Sequence, residues 1–104
     1  MRIVGQSPFF WTLFEIDSGS YVLSVLCGRV AQYGIEILLS GDETRAYEQT
    51  GETSINALAE AIHADPTRYE TRAMRDFFAK QNGWRSAVDE WNAQQYRRGA
   101  AEDG

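Results

Sequence analysis

Cysteine and histidine each occur once among the 104 residues, proline occurs twice, and ten basic residues face fifteen acidic ones. A structural zinc site takes about four Cys or His ligands and a disulfide takes a pair, so neither forms within one chain. The shortage of positive charge leaves a net charge of −5. Such a molecule repels polyanions, which argues against a general grip on nucleic acid or an anionic membrane surface. Long apolar runs are missing too. The longest uncharged stretch, Ile3 to Phe14, falls short of the roughly 20 apolar residues of a spanning helix and is interrupted by Gly5, Gln6 and Pro8. No basic segment followed by a cleavable apolar core opens the chain, and a cytoplasmic location is expected.

What is present suits one soluble domain, with 43% hydrophobic, 12% aromatic and 24% charged residues and too little chain for two cores. The acidity is uneven. Residues 41–64 hold Asp42, Glu43, Glu48, Glu52 and Glu60 against the single Arg45, whereas residues 65–104 balance their charges.

Strand signals dominate the first forty residues. Ile3-Val4 reads as a short segment stopped by Pro8, and Phe9 to Ile16 as a strand whose polar members are Thr12 and Glu15. Turn chemistry at Asp17-Ser18-Gly19-Ser20 leads to a second strand, Tyr21 to Cys27, apolar on both faces as a central strand should be. Tyr33 to Leu39 alternates around Gly34, Glu36 and Leu38 as a third. Connections this short predict an antiparallel meander.

From Ser40 the period becomes helical. Ser40-Gly41-Asp42-Glu43 fits a capping box, with Gly51 as the stop of a short helix. A second helix, capped by Thr53 or Ser54, carries the stripe Ile55, Leu58, Ala59, Ile62. Asp65-Pro66 opens a third, with Tyr69, Ala73, Phe77 and Phe78 inward and Asn82-Gly83 at its end. A fourth runs from Trp84 to Arg98 on Trp84, Ala87, Val88 and Trp91. The expected architecture is α+β: a three-stranded antiparallel β-meander packed against about four helices, with residues 1–98 as one domain and 99–104 as a flexible tail. Neither a repeat nor a low-complexity segment interrupts it.

Phe10-Trp11-x-Leu13, Tyr21-x-Leu23-x-Val25-x-Cys27-Gly28 and Tyr33-x-Ile35, followed by the capped acidic helix, resemble a loose group of small uncharacterised bacterial proteins. The resemblance covers roughly residues 9–70 and consists mostly of core and turn positions. It implies a strand meander followed by helices and brings no activity or functional residue with it.

Five constellations are weighed for function. Cys27 with His63 would make a nucleophile and base for a cysteine-dependent hydrolase or transferase, although a cysteine at a strand end ordinarily serves as a small apolar residue. Gly28 to Gly34 lacks the Lys-Ser/Thr of a phosphate loop and precedes a strand, so turns explain its glycines. The acidic run fits neither an EF-hand nor a helical metal motif, so no metal or cofactor is expected; Asp42, Glu43 and Glu48 read either as a solvated face or as a dock for a basic partner. Arg68, Arg72 and Arg75 form a stripe that could hold an anion or nucleic acid, with internal pairing to the acidic segment as the simpler account. Trp84 and Trp91 are candidate anchors for a hetero-partner or a homodimer, because the sheet carries apolar residues on both faces. These readings converge on a non-catalytic protein-interaction module, one form of which is a toxin-neutralising or inhibitor protein masking a basic surface. The cysteine enzyme and the arginine-stripe binder are the alternatives.

Overall fold

A computed structural model of the chain describes residues 1–17, 19–28, 33–74, 77 and 83–103, with the backbone alone at 84 and 96–103. Four strands, β1 (Arg2–Ser7), β2 (Trp11–Asp17), β3 (Ser20–Cys27) and β4 (Tyr33–Leu38), form one antiparallel sheet in the order β1-β2-β3-β4. Among the described residues four helices follow: α1 (Gly41–Thr50), α2 (Glu52–Ala64), α3 (Pro66–Tyr69) and α4 (Trp84–Asp103), with a 3-10 turn at Glu70–Arg72. The class is α+β, and the expected count of three strands is corrected to four. Pro8 does not end an isolated segment. It stands second in a tight turn closed by the Phe10 N–H donating to the Ser7 carbonyl at 3.0 Å, and that turn folds β1 back onto β2. Gly5 and Gln6 break the apolar pattern by which a strand is recognised, and a register shift between Ile3 and Gly5 disturbs it further.

Register partners share a face of a sheet, so the pairing assigns every strand residue to one of two sides. On the first side lie Trp11, Leu13, Leu23, Val25, Cys27, Ile35 and Ile37, all buried beneath Ile55, Ala59 and Ile62 of α2. The expected α2 stripe is therefore the one that packs. Buried Trp11 satisfies its indole N–H on Asn56 Oδ1 of α2 at 2.8 Å, which fixes the helix across the sheet. The other side buries Ile3, Phe14 and Val22 beneath Phe77 and Ala87, with Met74, Val88 and Trp91 partly buried around them. Helices thus cover both faces, the second incompletely.

The capping box forms: Glu43 N–H donates to Ser40 Oγ at 3.2 Å, and Ser40 N–H donates to Glu43 Oε1 at 2.8 Å. Gly51, at φ 67°, donates its N–H to the Tyr47 carbonyl and ends α1. Gly51 also begins α2, which has no side-chain cap from Thr53 or Ser54; both fall inside the helix. The third helix is shorter than expected. After Tyr69 the chain tightens into the 3-10 turn, and Ala73 is extended (φ −62°, ψ 131°), bridging to Ile37. The Met74 N–H then donates to the Glu36 carbonyl at 2.6 Å. The pairing of residues 73 and 74 with the β4 edge replaces helical hydrogen bonds. The chain passes round that edge, so Tyr69 and Ala73 pack on the first core and Phe77 on the second. Phe78 and Asn82 lie outside the described residues. The last helix reaches Asp103, beyond its expected end at Arg98. Among the described residues no helix is long and apolar enough to cross a membrane.

Candidate functional site

Cys27 and His63 meet the sheet at the same end but serve different purposes. The Cys27 thiol is buried, lies 3.8 Å from the Val25 carbonyl oxygen, and is pushed above its ordinary pKa first by burial and then by the Glu36 charge. A nucleophilic cysteine needs the opposite shift. His63 is exposed in the last turn of α2. Its Nδ1 lies 3.2 Å from the Leu26 carbonyl, which can only accept, so that nitrogen carries the proton. Its ring meets Phe10 edge-on, with centroids 5.8 Å apart. His63 therefore pins the end of β3 and the start of β2 to α2.

The acidic residues are partly consumed internally. Glu43 receives both terminal nitrogens of Arg72, at 2.9 and 2.6 Å, and Arg72 also donates to the Leu38 carbonyl. The Arg72 guanidinium is the main cause holding the Glu43 carboxyl below its usual range. Asp42 pairs with Arg45 at 2.6 Å, both at the surface. Glu48 is exposed and stands near Tyr21 and Tyr47, whose rings meet edge-on at 5.2 Å. Burial, together with carboxylates that include Glu15, raises both phenols. Of the arginine stripe, Arg72 is paired with Glu43, Arg68 is exposed, and Arg75 lies outside the described residues. Trp91 is half-buried against the second core and donates its indole N–H to Gln6 Oε1 at 3.0 Å, an internal role. The side chain of Trp84 is outside the described residues.

The feature missed from sequence lies at the opposite end of the second face. In the turn from Ser7 to Phe10, Phe9 adopts φ 63° and is 96% exposed. With proline in the second position and positive φ in the third, this is the arrangement of a type II turn, which ordinarily takes glycine where Phe9 stands. Beside it opens a groove of about 210 Å³ whose lining includes Phe9, Phe10, Thr12, Ser24, Leu26 and Gly34. Thr12 and Ser24 of this lining belong to a polar row, Gln6, Thr12, Ser24 and Glu36, that the register lines up across all four strands. Trp91 donates to Gln6, Gln6 Nε2 donates to Thr12 Oγ1 at 3.2 Å, and Ser24 Oγ donates to Glu36 Oε2 at 2.9 Å. Burial pushes the Glu36 carboxyl up, with the Ser24 hydrogen bond partly opposing it. Glu36 Oε2 sits 2.6 Å from where a Cβ on Gly34 would stand, so glycine there is what lets the carboxylate fold back over the strand.

Among the described residues no cluster of three or more His, Cys, Asp or Glu is arranged to hold a metal ion. Comparison with family models, curated proteins and solved structures finds no match. The functional reading rests on the geometry of this chain.

Proposed function

We propose that the protein is a non-catalytic interaction module of the cytoplasm that docks a basic protein partner, with the Phe9 turn as anchor and the acidic surface of α1 and α2 as the steering field. The observation that carries this reading is Phe9. A bulky side chain in left-handed backbone costs on the order of 1 kcal/mol, and a fully exposed ring recovers none of it by burial. Strain of this kind is found where a projecting side chain is used, and aromatic anchors beside a pocket dominate binding energy in protein interfaces. Steering follows from the net charge of −5 and from exposed Asp42 and Glu48, with Glu52 and Glu60 on the neighbouring helix. Masking the basic surface of a toxin or an enzyme is one form such docking takes.

The test is quantitative capture from an extract of the source cells by wild type, Phe9→Gly and Glu48→Lys proteins, with thermal unfolding to verify folding. We expect a basic partner to be lost with Phe9→Gly and weakened, mainly in its association rate, by Glu48→Lys. A partner retained by a folded Phe9→Gly protein sinks the reading. Self-association alone sinks it too, because the partner is then a second copy.

A further inference from the structure

We propose that the groove beside Phe9 receives the ammonium group of a lysine side chain from the partner, with the Glu36 carboxylate as its counter-ion and the Phe9 and Phe10 rings as walls. This rests on the docking reading above and names the chemistry that the docking site selects.

The lining of the groove is mixed. Leu26, Phe9 and Phe10 offer apolar surface to a chain of methylenes, while Thr12 and Ser24 bring hydroxyl groups. A lysine side chain has that division, an apolar stem with a compact charge at its tip. Aromatic faces attract a cation through their quadrupole, most strongly where water is displaced.

The sign of the charge follows from the polar row. Its described hydrogen bonds are donated along the row in one direction, Trp91 to Gln6, Gln6 to Thr12, and Ser24 to Glu36. The row ends on a carboxylate, which can only accept when ionised. The ion pairs found among the described residues are Arg2 with Glu15, Arg45 with Asp42 and Arg72 with Glu43; Glu36 is in none of them. A half-buried carboxylate whose one hydrogen-bonding partner described here is a neutral hydroxyl is stabilised by an incoming cation. The form of the cation follows from the occupied oxygen. Ser24 holds Oε2, Oε1 takes no hydrogen bond among the described residues, and a single such oxygen suits a point-like ammonium better than the paired nitrogens of a guanidinium.

The probe is n-butylammonium chloride, which has the length and charge of a lysine side chain, with neutral 1-butanol as its control. Each is titrated into the full chain and followed by amide chemical shifts. We expect butylammonium to bind weakly and to move Thr12, Ser24, Leu26, Gly34 and Glu36. Its affinity should fall about tenfold in Glu36→Gln, and likewise in Gly34→Ala, whose methyl displaces the carboxylate, while butanol binds all three proteins alike. Equal affinity of butylammonium for wild type and Glu36→Gln overturns the lysine assignment and leaves the docking reading to the capture experiment. Shifts confined to the α1 and α2 surface, or no binding, also overturn it. A marked loss of stability in Glu36→Gln would show that the carboxylate already has a cation within the chain, with the same consequence.

Discussion

The two faces of the sheet are made by the same four strands, yet one is closed and the other is half open. On the first face successive rows, Leu13, Leu23, Ile37 and then Trp11, Val25, Ile35, are apolar from β2 to β4 and lie under α2. The second face begins alike, with Ile3, Phe14 and Val22 beneath Phe77 and Ala87, but its next row is Gln6, Thr12, Ser24 and Glu36. Trp91 spans the change, its ring against the core and its N–H on Gln6. A row whose members hydrogen-bond in pairs needs no apolar cover, and past that row the surface is free to hold a groove. The first face serves stability; on the docking reading proposed above, the second divides between stability and recognition.

The sharpest way to break this comparison uses two leucines of β3 on opposite faces. Leu23→Ala, at a fully buried site, should cost about 3 kcal/mol, and Leu26→Ala, in the groove wall, about 1 kcal/mol, as read by urea denaturation. Equal losses would mean that the second face is closed.

Arg72→Met is the next largest change, at about 1 kcal/mol, because it frees a carboxylate held by two nitrogens and the α1 cap. Its pH dependence has a definite sign. The Glu43 carboxyl lies below its usual range in the folded state, so its contribution is present above the ordinary carboxylate pKa and lost as pH falls through the folded value. The gap between wild type and Arg72→Met should therefore close on acidification. A constant gap would assign the effect to packing or to the Leu38 carbonyl contact.

Phe9→Gly should act in the other direction, gaining about 0.5 kcal/mol, since release of the left-handed strain outweighs the added freedom of the unfolded chain. A loss on denaturation would mean that the ring is packed, contradicting its exposure. Stability gained together with partner binding lost is the signature expected of a residue kept for recognition.

Much of this fold was legible in the chain because its signals are local. The capping box at Ser40, the stop at Gly51 and the Ile55, Ala59, Ile62 stripe each lie within a few turns of helix. The two departures in the path of the chain share one origin, long-range pairing. Tyr69, Ala73 and Phe77 are spaced as a helix face, yet the extended chain at Ala73 is decided by Ile37, far away in sequence. Residues 2–7 become a strand because Pro8 builds a hairpin turn, which the interrupted apolar pattern concealed. The groove was half visible. Thr12, Ser24 and Glu36 stand out as polar residues in apolar strands, but only register makes them neighbours, and Phe9 read as an ordinary strand residue until its φ was known.

The smallest expected effect sets Glu36 and Glu43 against each other. Burial raises Glu36 where Arg72 lowers Glu43, so the folded state binds a proton at Glu36 more readily than the unfolded chain does. Between the ordinary carboxylate pKa and its own raised value, Glu36 loses stability as pH rises, opposite in sign to Glu43. Glu36→Gln keeps an acceptor for Ser24 and removes the charge. It should be more stable than wild type by a few tenths of a kcal/mol at neutral pH, with the difference vanishing in acid where Glu36 is protonated. A double variant with Arg72→Met should show the two effects adding, since the glutamates face different partners on different elements. If they do not add, the polar row and the α1 cap are coupled through β4, and the two faces are not independent.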